Sequence, residues 1–364
     1  MTGAIMSAAQ PFTPALFSSF VEWIDRGNQT AKTYINHLRQ FFAWTRYREI
    51  MQPIRKDVAA FRDWLLSEHE GIALDAKTPE GWKYRRDPAG RVIVAQCTPN
   101  TTAQYLRSVK QFFRWTGSNG LYPDIAANIR PPKISRGIHK RDALTTAEVL
   151  TVENSIKENA AARIRDAGNE RKDTVGRMQR KTEQGARLLA MYQLAVTAGL
   201  RTVELSRARI RDFEEKGGRF FLYIHGKGHS EADEKKPLAP EVAAAIKEYL
   251  KIRAGGYSLA GSLPLFAATG NRNAGGRIEP RTIGSMIKAA LRAAGMDSHR
   301  LTAHSLRHTA GTALFQLTGN LYAVQKYMRH ASPATTEIYL HADTEQQEAD
   351  FAARLYAAYH GKNN

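Results

Sequence analysis

The sequence predicts two domains: a helical N-terminal domain, and a mixed α/β, mostly helical C-terminal domain with a small antiparallel sheet. Three observations lead there. A length of 364 residues exceeds what one hydrophobic core usually organises. Near the N-terminus an imperfect internal repeat carries apolar residues at helical spacing, and a stretch rich in proline and basic residues separates it from the rest of the chain. In the second half, an aromatic run ending in Gly226-Lys227-Gly228 is followed by a second short run, the pattern of a β-hairpin.

Taken in order, residues 1–12 are too short to fold alone and are expected to form a flexible tail. Residues 13–130 make the first domain. Within it, residues 30–45 echo residues 101–116: Tyr34, Leu38, Phe41 and Phe42 match Tyr105, Val109, Phe112 and Phe113 as two core-facing stripes. On the opposite faces, Lys32 and Arg39 in one copy and Arg107, Lys110 and Arg114 in the other are available to phosphates. Between the copies, residues 82–94 alternate and turn like a β-hairpin. Residues 131–141 read as a basic linker, in which Pro131 and Pro132 stop any helix. Its Lys133, Arg136, Lys140 and Arg141 suit a strap lying along a duplex.

The second domain, 142–364, opens with a capping box from Thr145 to Glu148. Residues 157–187 are rich in charge and poor in large apolar side chains. They read as an extended, solvated insertion broken at Gly168 and Gly176. Phe351, Leu355, Tyr356 and Tyr359 recur at helical spacing near the end, so a terminal helix is expected to bury one apolar stripe on its own domain or on another subunit.

Composition narrows the partners. A net charge of +18 and a pI near 10.0 predict affinity for a polyanion. No run of about 18 apolar residues offers a bilayer span, and no charged-then-apolar leader opens the chain, so a cytoplasmic protein bound to DNA is expected rather than a membrane protein. The single cysteine, Cys97, excludes an intramolecular disulfide framework and suits a reducing compartment.

Four segments carry chemistry: Thr197-Ala-Gly-Leu-Arg201-Thr-Val-Glu204-Leu205, His304-Ser-Leu-Arg307-His308, Met328-Arg329-His330 and Thr335-Thr336-Glu337-Ile338-Tyr339. An attack on a phosphodiester concentrates negative charge in a five-coordinate transition state, and planar guanidinium forks bind such oxygens bidentately. Arg201 and Arg307 are therefore the candidate clamp. His304 lies three residues before Arg307, so on a helix both leave one face, and a titrating imidazole stands beside the clamp. A tyrosine hydroxyl titrates near ~10 and needs such neighbours to become a nucleophile at neutral pH. His304 and His308 also have the spacing of two zinc ligands, but Ser305 stands where a zinc protease would need Glu.

Together these segments resemble the signature of the tyrosine recombinase (phage integrase) family: Arg, then Lys, then His-x-x-Arg, then His, then Tyr nine positions on. The simpler two-domain, Xer-like members are the nearest in layout. The resemblance implies a SAM-like helical bundle as core-binding domain, a catalytic domain from residue 142, and catalytic roles for Arg201, Lys227, His304, Arg307, His330 and Tyr339, with Glu204 in support. Lys227 would protonate the leaving 5′-oxygen; Lys235 and Lys236 compete weakly for that role. Tyr339 would form a 3′-phosphotyrosyl bond. The resemblance further implies double-stranded DNA with a specific core site as substrate, a homotetramer on paired sites, no metal or other cofactor, a place at the nucleoid, and integration or excision of a mobile element. A resolvase, an invertase or a topoisomerase IB-like enzyme would share the chemistry. One position departs from the family: Arg329 stands where relatives carry Gly, so a different local turn or an added phosphate contact is expected there.

Overall fold

The computed structural model describes residues 12–24, 29–74, 81–133, 143–168, 174–225, 232–270, 273–298, 300–329 and 336. The chain divides into two compact units, Met1–Gly137 and Ile138–Asn364.

The first unit is built on helices α1 (Pro14–Trp23), α2 (Gln29–Tyr47), α3 (Arg55–Leu66) and α4 (Pro99–Ser118). Its repeat forms α2 and α4, which pack on each other. The sequence explains where α4 starts. Pro99 occupies its first turn, where the missing N–H costs nothing, and the Thr98 hydroxyl accepts from the Thr101 amide at 3.2 Å. Leu38, Phe41, Phe42, Val109, Phe112 and Phe113 are fully buried. The core is interlocked by aromatic edges and faces, with Phe41 5.1 Å from Phe61, Phe42 5.6 Å from Phe112 and Phe20 5.4 Å from Trp115. Each such ring contributes about 1.5–3 kcal/mol through burial.

Two small ribbons lie between α3 and α4. Strand β1 (His69–Glu70) pairs with β4 (Val94–Ala95), and β2 (Ile72–Leu74) pairs with β3 (Trp82–Tyr84), both antiparallel. The hairpin expected over 82–94 is thus only partly realised. A bridge from Arg86 to Val92 closes a turn at Gly90, but the ladder of β3 goes to β2. Local alternation cannot name the partner strand.

The second unit opens with α5 (Thr146–Gly168) and α6 (Thr174–Thr197), and this overturns the extended insertion expected at 157–187. The capping box is present: Thr145 N–H donates to Glu148 at 2.7 Å, and Glu148 N–H to the Thr145 hydroxyl at 3.2 Å. The two helices pack on each other through small residues. A Cβ on Gly185 would lie 2.5 Å from that of Ala160. The alanine and glycine at this contact leave little hydrophobic signal, which conceals the later part of α5 and the start of α6 in the sequence, and Gly176 lies inside α6 rather than breaking it.

After α7 (Thr202–Arg207) comes a three-stranded antiparallel sheet in the order β5 (Phe213–Lys216), β6 (Arg219–His225), β7 (Ala232–Leu238). Gly217 and Gly218, both with positive φ, make the tight turn from β5 to β6. Helices α8 (Pro240–Ala254), α9 (Pro280–Ala293), α10 (Ala303–Thr318) and α11 (Leu321–Met328) complete the described unit. Its core is chiefly aliphatic, with Leu194, Leu205, Leu222, Ile246, Ile283, Ile287 and Leu306 fully or almost fully buried. From Ser305 to Thr312 α10 is buried on every side. Its polar groups are consequently satisfied inside the protein: Ser305 donates to the Arg300 carbonyl, and Thr309 accepts from the Leu144 amide. His308 lies 3.3 Å from the Thr312 hydroxyl in this interior. None of the described helices is long and apolar enough to cross a membrane.

Candidate active site

Arg201 stands at the N-cap of α7 in extended conformation, with φ −77° and ψ 152°. Its amide donates to Glu204 Oε2 and its Nη1 to Glu204 Oε1, both at 2.8 Å. The carboxylate thus orients the arginine from behind, leaving the Arg201 side chain 40% exposed while Glu204 is 7% exposed. Arg307, on the interior stretch of α10, is 2% exposed, and its guanidinium donates to the carbonyls of Gly199 and Met328. Gly199 lies two residues before Arg201, so the turn between α6 and α7 joins the two arginines of the expected clamp. That turn needs glycine: φ is +65°, and a Cβ would meet the Met328 side chain at 2.9 Å.

His304 is exposed in the first turn of α10. It lines an open groove with Thr202, the neighbour of Arg201, and with Arg281, Lys288 and Arg292 of α9. Those three cations were missed by sequence reading, although spacings of seven and four put them on one helix face. Lys288 and Arg292 share Asp297, at 3.6 and 2.8 Å.

Arg329 follows α11 and adopts the left-handed conformation, φ 54° and ψ 52°. The expected change of turn is therefore absent: the arginine accepts the backbone that a glycine would take, at a cost of about 1–2 kcal/mol. Nor does its side chain reach outward as a phosphate contact. Its Nη2 pairs with Glu204 Oε2 at 2.8 Å and its Nη1 with Glu234 Oε2 at 3.0 Å. Burial pushes the Glu204 carboxyl up, but Arg329 beside it, together with the amide and guanidinium of Arg201, prevails and holds it below the usual carboxylate range.

Lys236 on β7 is 3% exposed. Its Nζ donates to the Tyr327 carbonyl at 2.6 Å and sits 3.0 Å from the centre of that ring. Burial, then the nearby Arg329 and Arg307, lowers its pKa to about 7. Arg201, Arg307, Arg329 and Lys236 thus crowd cationic charge against two carboxylates, Glu204 and Glu234, and the surplus favours an anion.

Of the other expected residues, Lys227, His330 and Tyr339 lie outside the described residues, as do Arg136, Lys140 and Arg141. Lys32, Arg39, Arg107, Arg114 and Lys133 are exposed. Lys110 is half-buried and its Nζ donates to the Ala127 carbonyl at 3.3 Å, so it helps close its own domain. Tyr327 makes a poor nucleophile, since its hydroxyl donates to the Thr197 carbonyl at 2.9 Å and burial pushes its pKa up.

Residues 169–346 match the model of the phage integrase family. The chain is 29% identical over 309 residues to the tyrosine recombinase XerD of Caulobacter vibrioides, covering 82% of this chain and 87% of that one. Among solved structures it is similar to the XerH site-specific recombinase bound to palindromic difH substrate, with TM-score 0.61, 18% identity, 94% of this chain and 85% of that chain. It is also similar to a lambda integrase dimer bound to a COC′ core site, with TM-score 0.56, 15% identity, 91% of this chain and 77% of that chain. The two structures attest the fold. Through residues 169–346 the chain carries a phage integrase family domain, and it is a tyrosine recombinase, an enzyme of DNA strand breakage and rejoining.

Proposed function

We propose that the chain recombines double-stranded DNA at a specific core site through a 3′-phosphotyrosyl intermediate, in the integration or excision of a mobile element. The observation that carries this reading is the junction at Gly199, whose carbonyl anchors Arg307 two residues from Arg201. Two guanidinium groups so linked can bind both non-bridging oxygens of one phosphate as charge develops on them. Tyr339 Oη attacks phosphorus, and its proton passes to His304. The bond from phosphorus to the 5′-oxygen breaks, and Lys227 donates a proton to that oxygen. His330 hydrogen-bonds the phosphate. The free 5′-hydroxyl of a partner strand then reverses the step, so the bond energy is conserved without metal or nucleotide.

Lys32, Arg39, Arg107, Arg114, Lys133, Arg136, Lys140 and Arg141, with the α9 cations beside His304, are assigned to backbone phosphates, and Lys110 to the closure of its own domain. Four protomers act together on two paired sites, and the protein works at the nucleoid. The test is a duplex nicked close to the cleavage point, so that a short fragment diffuses away and traps the intermediate. Wild-type protein should give a covalent adduct on a denaturing gel, and Tyr339→Phe should bind the duplex equally well with none. An adduct at wild-type level in the variant overturns the assignment of the nucleophile.

A further inference from the structure

Strand β7 and the end of α11 meet at two points. Glu234 and Lys236 are alternate residues of β7, so their side chains leave the same face of the sheet. Both face the last turn of α11. Glu234 takes the Arg329 guanidinium at 3.0 Å, and the Lys236 ammonium lies on the Tyr327 ring and donates to its carbonyl at 2.6 Å. The arginine is fixed before Glu234 reaches it, because Glu204 holds its other Nη at 2.8 Å and its side chain is 14% exposed. Little side-chain freedom remains to be lost on that side when the pair with Glu234 closes. Tyr327 is fixed likewise, through its hydroxyl on the Thr197 carbonyl.

What this contact joins gives it meaning. Residues 226–231, with Lys227, connect β6 to β7, and His330 directly follows Arg329. At its other end the same arginine touches the carboxylate that orients Arg201. We propose that Arg329, Glu234 and Lys236 form a latch whose task is to hold the strand pair that presents the proton donor in register with the arginine clamp. Arg329 is then a positioning residue rather than a catalytic residue. From its left-handed turn its two nitrogens reach carboxylates on α7 and β7 together.

The proposal rests on the recombinase reading above, and the experiment separates the two. Full-length protein selects its core site from random-sequence DNA, and nicked duplexes of that site are made with oxygen or with sulfur at the bridging 5′ position. Sulfur leaves without a proton, so only the oxygen duplex needs the donor in place. Arg329→Gly keeps a residue suited to positive φ and removes the latch. It should bind the site normally, cleave the oxygen duplex roughly ten- to a hundredfold more slowly, and cleave the sulfur duplex close to the wild-type rate. Glu234→Gln should give the same pattern, with no further loss when the two are combined. Arg329→Lys, a point charge unable to span both carboxylates, should recover part of the lost rate. Equal slowing on both duplexes, additive losses, or an unchanged rate on the oxygen duplex would overturn the latch. A wild-type protein that forms no adduct on either duplex would instead overturn the recombinase reading itself, and the latch with it.

Discussion

At the scale of the residue, Lys236 offers a direct test of the charge crowding around the site. Its pKa falls to about 7 through burial and through Arg329 and Arg307, with Glu204 and Glu234 opposing. A lysine that binds its proton more weakly when folded makes stability rise with pH between its folded and unfolded values. Unfolding free energies of the wild type and Lys236→Met should therefore diverge from about pH 7 toward pH 10. The wild type gains on the variant by up to ~1.4 kcal/mol per pH unit. Denaturant titrations at a series of pH values read this out, and parallel curves would show that the lysine keeps its proton throughout. The order and spacing of Arg201, Glu204, His304 and Arg307 single them out in the sequence, whereas the Gly199 carbonyl that ties Arg307 to the turn before Arg201 is visible only in the fold. Lys236 was not: Lys235-Lys236-Pro237 reads as solvated charge, and its burial arises only because the end of α11 lands on β7.

At the scale of the element, the turn from α6 to α7 depends on one backbone torsion. Gly199→Ala forces a Cβ into a left-handed residue and against the buried Met328 side chain. About 1–2 kcal/mol of stability should be lost, and the Gly199 carbonyl that orients Arg307 should shift, slowing cleavage in protein that remains folded. Urea unfolding with a cleavage assay checks both, and an unchanged rate would mean that Arg307 is held well enough by Met328 alone. Helices with large apolar stripes, α2 and α4, were readable in the sequence. The capping box showed where α5 begins, but its continuation and the start of α6 were hidden, because Ala160 and Gly185 achieve by closeness what large side chains elsewhere achieve by area, and closeness leaves no hydrophobic signal. The partner of β3 was equally hidden, since register belongs to the pair and not to the strand.

At the scale of the whole molecule, the charge of +18 should dominate binding. The logarithm of affinity should fall against the logarithm of salt concentration by about 0.9 per phosphate neutralised. Replacing the exposed Lys32, Arg39, Arg107 and Arg114 together by Ala should flatten that slope, measured by fluorescence anisotropy across a salt series. An unaltered slope would remove those faces of α2 and α4 from the interface. The division into a helical and an α/β unit was legible from length, repeat and the proline pair. The sign of the charge was legible too, whereas the basic face of α9 beside His304 emerged only with the groove.

The aromatic core of the first unit also decides how the molecule can be watched. All five tryptophans, Trp23, Trp44, Trp64, Trp82 and Trp115, fall between residues 1 and 137, and none in the catalytic unit. Indole emission is therefore a private channel for the N-terminal unit: it will follow that unit's melting or its docking on a ligand while the catalytic half stays dark. Tyr257→Trp, at a position 83% exposed, would add one indole on the other half, whose signal is the difference between the variant's emission and the wild type's.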